Sequence, residues 1–539
     1  MTGKNKNGWA SALLVVFVIL VLWNDIMYLI RDDMYSGLIP LEWDSSQPHA
    51  HKEKLHLRGS AVIPKANEPN LLFVGGERGQ TYDLIWQYDT NKKMLVIWGK
   101  IPKIVNEQTT AACVAKLNNT SPGINLIIAR TSGVYVCDEI NKFATPRKIW
   151  EQDKKALVTS LSVADIDKSS SLAIYSACYT KAAYFKPFQF RKEGTARNAL
   201  LINDNLQWND SAVEFGCEGD RNTWTAAFVD LNDNGYPDIV ESTDEGECRI
   251  YMNLNGSFTM MKADMPIGFW MGMAIGDFDN SGCQSIFFSN SGGTVGKLMM
   301  KMMGAKKENM PIQMTNKHCI LYNKGDYNFV AHMGDDINRT PFRRSRIGFG
   351  WGAMAHDLNN TGSIDILMAQ NWHMLPWQIF KFARNHGALL IRRSPTEYER
   401  IHKFSNMNYG ATPLLADVTG NGKKDVIWIN HMHKPVVYRN KLRNNVHSSH
   451  KIQVELPKTV EFANATVFAN YKSGKVLSYQ NILGGTGLGS SRSSCFDFGT
   501  HKDTIVSLTL FVHGNMVGGI PGPEVGKKYT DKSFVSINQ

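Results

Sequence analysis

Asp230-Leu231-Asn232-Asp233-Asn234-Gly235-Tyr236-Pro237-Asp238, followed at once by Ile239-Val240, decides how this chain is read. Oxygen-bearing side chains stand at positions 1, 3, 5 and 9, and a glycine at position 6 lets the backbone fold sharply around whatever those oxygens hold. This is a ligand pattern for a hard cation, Ca²⁺ above all, which takes six to eight oxygens from carboxylates, amides and backbone carbonyls. The same grammar returns at Asp277, Asp279 and Ser281 before Gly282, at Asp357, Asn359, Thr361 and Asp365 around Gly362, and at Asp417, Thr419, Asn421 and Asp425 around Gly422. Repetition makes the signal stronger than any single loop does. Each copy is entered from a small or apolar run (Ala226-Ala227-Phe228-Val229; Gly352-Ala353-Met354-Ala355) and left through another (Ile286-Phe287-Phe288; Val426-Ile427-Trp428). Each loop therefore joins two short buried strands.

A helix-loop-helix reading competes, because Glu241 completes the EF-hand spacing D-x-N-x-N-G-x5-E. Three features oppose it. The flanks lack helical periodicity, Pro237 stands where an EF-hand loop donates a backbone hydrogen bond, and the residues matching Glu241 elsewhere are Phe288, Met368 and Trp428. Ligand counting ranks the loops. The Asp230 loop has the full oxygen set, the Asp357 and Asp417 loops rely partly on hydroxyls, and the Asp277 loop has Ser285 at position 9. Asp-Asn-Gly loops also form metal-free turns through side-chain to backbone bonds.

The copies resemble FG-GAP (VCBS) repeats, the blade units of integrin-α-type propellers. Gly350-Trp351-Gly352-Ala353-Met354-Ala355-His356-Asp357-Leu358-Asn359-Asn360-Thr361-Gly362 and Met271-Gly272-Met273-Ala274-Ile275-Gly276-Asp277-Phe278-Asp279 are similar to members that end in an ASPIC/UnbV domain, the cartilage acidic protein group among them. The resemblance covers roughly residues 60–525. It implies a calcium-binding propeller that engages a protein or glycan on one face.

Outward from that stretch, the repeats degenerate toward the N-terminus. Ala61-Val62-Ile63 before Asn70-Leu71-Leu72, and Cys113-Val114-Ala115 before Asn125-Leu126-Ile127, keep the strand-loop-strand outline without the acids, and Asp165-Ile166-Asp167-Lys168-Ser169 is intermediate. Loop starts near 63, 116, 165, 230, 277, 357 and 417 give seven units. Seven units close a ring without leaving edge strands. The fold expected is all-β: a seven-bladed β-propeller over 59–445, then a small β-rich domain over 446–530 and a tail at 531–539. The C-terminal part shows alternating strands at Lys451–Glu455 and Ala465–Tyr471 and a hairpin turn at Lys472-Ser473-Gly474-Lys475. Its Gly485-Thr486-Gly487-Leu488-Gly489 lacks the third glycine at dinucleotide spacing, and no amphipathic helix follows.

At the other end, Lys4 and Lys6 precede an apolar run from Trp9 to Trp23, extended by Ile26–Ile30. No small-residue cleavage site follows Trp23. A single-pass signal anchor over 9–30 is expected, with residues 1–8 cytoplasmic, a tether over 31–58, and the bulk extracellular, luminal or periplasmic. A cleaved signal would export the chain equally. The 59 Lys and Arg against 49 Asp and Glu give a net charge of +10. The basic residues are scattered, which argues against nucleic acid as a partner.

The eight cysteines include no C-x-x-C pair, so structural zinc has no support. In an exported chain some of these pair, and Cys113 with Cys137, or Cys217 with Cys248, would lie within one blade, while buried free thiols account equally well for the rest. N-x-S/T sequons begin at Asn118, Asn119, Asn209, Asn255, Asn338, Asn359 and Asn464. His356, His373, His431 and His433 lie near loops but no carboxylate or nucleophile accompanies them in sequence. The expected function is a membrane-anchored, extracytoplasmic binding or adhesion module. The competing class is an exported propeller enzyme of lyase or dehydrogenase type, with acids, histidines and metal converging on the ring axis.

Overall fold

The computed structural model describes residues 38–40, 42–43 and 59–536, apart from 66–67, 118–122, 182–195, 205–206, 220, 245, 292–314, 316, 335–349, 371–386, 402–409, 431–434 and 441–449. The expected span 9–30 and most of the tether lie outside these residues, as do Asn118, Asn119, Asn338, His373, His431 and His433. No helix among the described residues is long and apolar enough to cross a membrane.

The described chain is all-β, folded into nine small sheets. Seven follow one another as antiparallel meanders over 60–102, 109–151, 156–210, 223–262, 270–333, 350–401 and 410–440. The first strands are Ser60–Ile63, Thr109–Ala115, Ala156–Ala164, Thr223–Val229, Trp270–Gly276, Gly350–His356 and Gly410–Ala416, and every residue in them is buried. A strand covered on both faces has no need of alternation, which is why these stretches read as continuous small and apolar runs. Outer strands such as Ser257–Lys262 are largely exposed, with Phe258 the one buried side chain of that strand.

The core is a series of slabs between consecutive sheets. Ile63, Phe73 and Ile85 of the first sheet pack with Val114 and Ile128 of the second, and Tyr175 and Leu200 of the third pack with Phe228 and Ile239 of the fourth. The seventh sheet meets the first through Leu414, Val426 and Trp428 against Val62, Leu72 and Trp86, so the arrangement is a propeller-like ring. Hydroxyls stitch neighbouring first strands together. Thr110 Oγ1 donates to Val158 O at 2.5 Å, Thr159 Oγ1 to Thr223 O at 2.8 Å, and Thr225 Oγ1 to Met271 O at 3.1 Å. Thr110, Thr159 and Trp224 are the extra residues of β-bulges at one recurring height of the ring.

Two short strands fall within the stretch read as a tether. Leu38–Pro40 is antiparallel to Val436–Asn440 and completes the seventh sheet, and Glu42–Trp43 runs parallel to Met94–Pro102 at the edge of the first. The last two sheets belong to the C-terminal part: one holds Lys451–Glu455, Cys495–Gly499 and Lys528–Thr530, the other Thr466–Tyr471, Val476–Gln480, Ile505–Val512 and Asn515–Pro521. All eight cysteines are free thiols, so neither Cys113–Cys137 nor Cys217–Cys248 is bonded. Both members of each pair sit buried in apolar packing, where free thiols are well accommodated.

Candidate metal centre

The repeated loops are turns between the first and second strands of the third to seventh sheets, and all five are built to one plan. The carboxylate at position 1 accepts the backbone N–H groups of positions 5 and 6: Asp165 from Ser169 and Ser170, Asp230 from Asn234 and Gly235, Asp277 from Ser281 and Gly282, Asp357 from Thr361 and Gly362, and Asp417 from Asn421 and Gly422, all at 2.7–3.1 Å. The side-chain oxygen at position 3, on Asp167, Asn232, Asp279 and Asn359, is a second acceptor for the N–H of position 5. Asn234, Ser281 and Asn421 at position 5 accept the N–H two residues on, while Thr361 turns its hydroxyl to Asn359. Backbone φ is positive at position 4 (Asp233, Asn280, Asn360, Gly420) and at the glycine of position 6.

Position 9 has a further duty. Asp238 Oδ2 accepts Leu231 N–H at 3.1 Å and its Oδ1 accepts Asn253 N–H of the third strand at 2.8 Å. Asp365 repeats this with Leu358 and Arg392, and Asp425 with Val418, while Thr419 adds a hydroxyl bond to Asp425. In the Asp277 loop, Ser285 Oγ takes the same strand N–H, that of Asn323, at 3.0 Å. An acid at position 9 thus clamps turn and sheet together whether or not a cation is bound. Glu241 belongs to none of this. It sits mid-strand, opposite Ala226, and accepts Tyr175 Oη at 2.6 Å across the slab to the third sheet, so the EF-hand spacing is coincidental.

The donor set suits a cation unequally. Burial, reinforced by the Asp230 charge, pushes Asp238 up to about 7, and burial pushes Asp230 itself to about 6. Burial likewise lifts Asp277 and Asp357 to about 7, and holds Asp365 well above the usual carboxylate range with the Asp357 charge adding to it. Asp230 raises Asp238 and Asp357 raises Asp365, so these buried acids are short of positive charge, and a carboxylate oxygen that holds a single N–H keeps a lone pair. The Asp277 loop differs, because the Lys324 ammonium already pairs with Asp279 and lowers it. Among the described residues, no three His, Cys, Asp or Glu gather at one point, so any ion here relies on amide, hydroxyl and carbonyl oxygens as well.

The loops are not an open face. The edge strand Val476–Gln480 lies across them: Val476 N–H donates to Asn280 O, Ser478 N–H to Asp277 Oδ2 at 3.1 Å, and the Gln480 amide clasps both Asp230 N–H (2.8 Å) and Asp230 O (3.0 Å). Gly499 N–H reaches Asp357 Oδ2 at 2.8 Å, and Tyr479 Oη accepts Asp357 N–H. Gly235 lies against His513, so close that a Cβ there would stand 2.1 Å from the His513 carbonyl. His356, read as lacking a carboxylate, has one in Asp497 of the C-terminal part, 3.1 Å from Nε2, and Asp497 also holds Lys451.

From Gln480 the chain enters the ring. Leu483–Gly484 pairs with the first strand of the third sheet and Ser490–Ser491 with that of the first. Between them Gly487 N–H donates to Met273 O, Gly487 O accepts Thr225 Oγ1, and Gly489 O accepts N–H groups from Ser60 and Ala112. Leu488 at the tip is 1% exposed and packs in one cluster with Trp224, Met271 and Trp351, and the two indoles meet edge to face at 5.7 Å. The glycine run is therefore a plug. The cluster around Leu488 extends to Tyr179, which packs against Trp224 and donates its Oη to the buried Asp244 at 2.7 Å.

No protein-family model matches the chain, and no curated protein matches it. The solved structures to which it is similar include the WD40 domain of Neurospora crassa Pan2 (11% identity, TM-score 0.41, 76% of this chain and 97% of that one). Others are BBS1N in its complex with ARL6DN (8%, 0.41, 76% and 98%) and the Vibrio cholerae biofilm matrix protein Bap1 (11%, 0.38, 87% and 98%). Scores of this size carry no argument about what the chain binds.

Proposed function

We propose that the seven meandering sheets are the blades of an FG-GAP-type propeller capped by an ASPIC/UnbV-like module, and that the chain is a calcium-binding, membrane-anchored extracytoplasmic module that engages a protein or glycan. The observation supporting calcium is the single plan of the loops, with buried carboxylates at Asp230 and Asp238, the second raised further by the charge of the first. Asp230, Asn232, Asn234 and Asp238 would hold the ion best. Asp357, Asn359, Thr361 and Asp365, and Asp417, Thr419, Asn421 and Asp425, would form further sites, while at Asp277, Asp279 and Ser281 the Lys324 ammonium would compete with the ion for Asp279. Calcium would supply compensating charge to buried acids and no reaction chemistry. With the loop face under the C-terminal module and the glycine run plugging the ring, a ligand would meet the rim or the opposite face.

A ligand bound only by the folded loops raises stability by mass action, by about 2.7 kcal/mol at a hundredfold excess over Kd. Chelator titration of the full chain is expected to lower Tm, and added Ca²⁺ to restore it. An unchanged melt, together with no calcium by elemental analysis, overturns the calcium reading. Protease added outside intact cells tests the topology: the repeats are digested and a short N-terminal fragment stays protected.

A further inference from the structure

We infer that Asn209 and Asn255 are N-glycan acceptors, whereas the sequons at Asn359 and Asn464 stay bare in the folded protein. The inference rests on the exported reading above and adds the positions. Four of the seven sequons lie among the described residues, and the fold separates them two against two.

Asn209 stands on Gln207–Asp210, the outermost strand of the third sheet, where alternation turns Trp208 inward and leaves Asn209 exposed. Asn255 is the first residue of the two-residue turn between Leu254 and Ser257 in the fourth sheet; its φ of +58 and the +99 of Gly256 are those of an Asn-Gly hairpin turn. It too is exposed. Either amide can carry a bulky substituent without displacing protein atoms.

The other two cannot. Asn464 is 9% exposed, and its Nδ2 donates to Phe228 O at 2.9 Å and to Gln480 Oε1 at 3.1 Å, inside the contact between ring and C-terminal module. Asn359 is 8% exposed within its loop, with Oδ1 accepting from Thr361. A glycan at Asn464 would force the module off the loops. In the transfer, Nδ2 displaces a lipid pyrophosphate from C1 of a lipid-linked oligosaccharide: the N–C1 bond forms, the C1–O bond breaks, one amide proton is lost, and the lipid pyrophosphate leaves. Glycans at 209 and 255 keep the rim of the third and fourth sheets in solvent, so a partner docks elsewhere on the ring.

The test is intact-glycopeptide mass spectrometry on the full chain made in a eukaryotic secretory host, alongside the same chain behind an added cleavable secretory leader. Glycans are expected at Asn209 and Asn255 and none at Asn359 or Asn464, with N209Q and N255Q each removing one glycan. Modification only behind the added leader leaves the sites standing and sinks the topology. A leader-borne chain that reaches the lumen with Asn209 and Asn255 bare, or with Asn464 modified, overturns the inference.

Discussion

Asp230 and Asp277 hold equivalent places, yet their surroundings set them apart. Asp230 faces the Asp238 carboxylate, whereas the Asp277 loop has a serine at position 9 and an ammonium on Asp279. Asp230→Ala is expected to abolish most of the calcium-induced rise in Tm, and Asp277→Ala to keep most of it. Both variants lose about 1–3 kcal/mol in calcium-free buffer, from the turn N–H groups left without a partner. Equal loss of the calcium response in both variants would mean that the loops share ions. A second residue tests burial by pH. Lys458 is 3% exposed and donates to Arg492 O at 2.7 Å; burial, aided by the Arg492 charge, lowers it from 10.5 to about 8. Between those values the unfolded chain holds the extra proton, so this lysine makes stability rise with pH, by up to about 1.4 kcal/mol per unit. Urea unfolding from pH 8 to 10 should show a steeper rise in the wild type than in Lys458→Met; parallel curves would refute the assignment.

At the scale of elements, the plug is the sharpest target. Gly485 has φ +67, and a Cβ there would meet Ala226 O at 2.2 Å. Gly485→Ala is expected to cost about 2–5 kcal/mol, from left-handed backbone and overpacking together. Trypsin should then cut at Arg492, which is buried in the wild type, and the emission of Trp224 and Trp351 should shift to the red. Resistance at Arg492 with unchanged emission would show that the plug tolerates a side chain. How much of this was legible follows from distance along the chain. The turns could be read because each needs only nine consecutive residues, and their starts near 165, 230, 277, 357 and 417 fall where the first strands end. The Asp230–Gln480 clasp joins residues 250 apart and the Asp357–Tyr479 bond residues 122 apart, and no local pattern announces either. The glycine run was tested only as a dinucleotide loop and its packing role was missed, because its partner is a ring assembled from distant strands. The two strands inside 31–58 were missed because three-residue and two-residue segments carry no periodicity.

For the molecule as a whole, propeller and C-terminal module share one core: Phe287, Ile366 and Leu390 of the ring pack in the same cluster as Val467, Tyr479 and Leu508. The two domains read in the sequence should therefore melt as a single calorimetric transition. A chain ending at residue 445 loses Leu488 and the cover over the Asp230, Asp277 and Asp357 loops, and is expected to lose cooperative unfolding; two separate transitions in the full chain would contradict the shared core. The strand pairing that completes the seventh sheet also sets a timetable for biosynthesis. Leu38 pairs with Asn440, so the earlier strand must wait for about 400 further residues, roughly 20–80 s at ~5–20 residues per second. The plug that fills the axis is made later still. Until the ribosome has passed Gly489, Trp224 and Trp351 lack the Leu488 side chain that packs with them, so the segment carrying the plug determines whether the strands translated before it can stay folded without a chaperone's help.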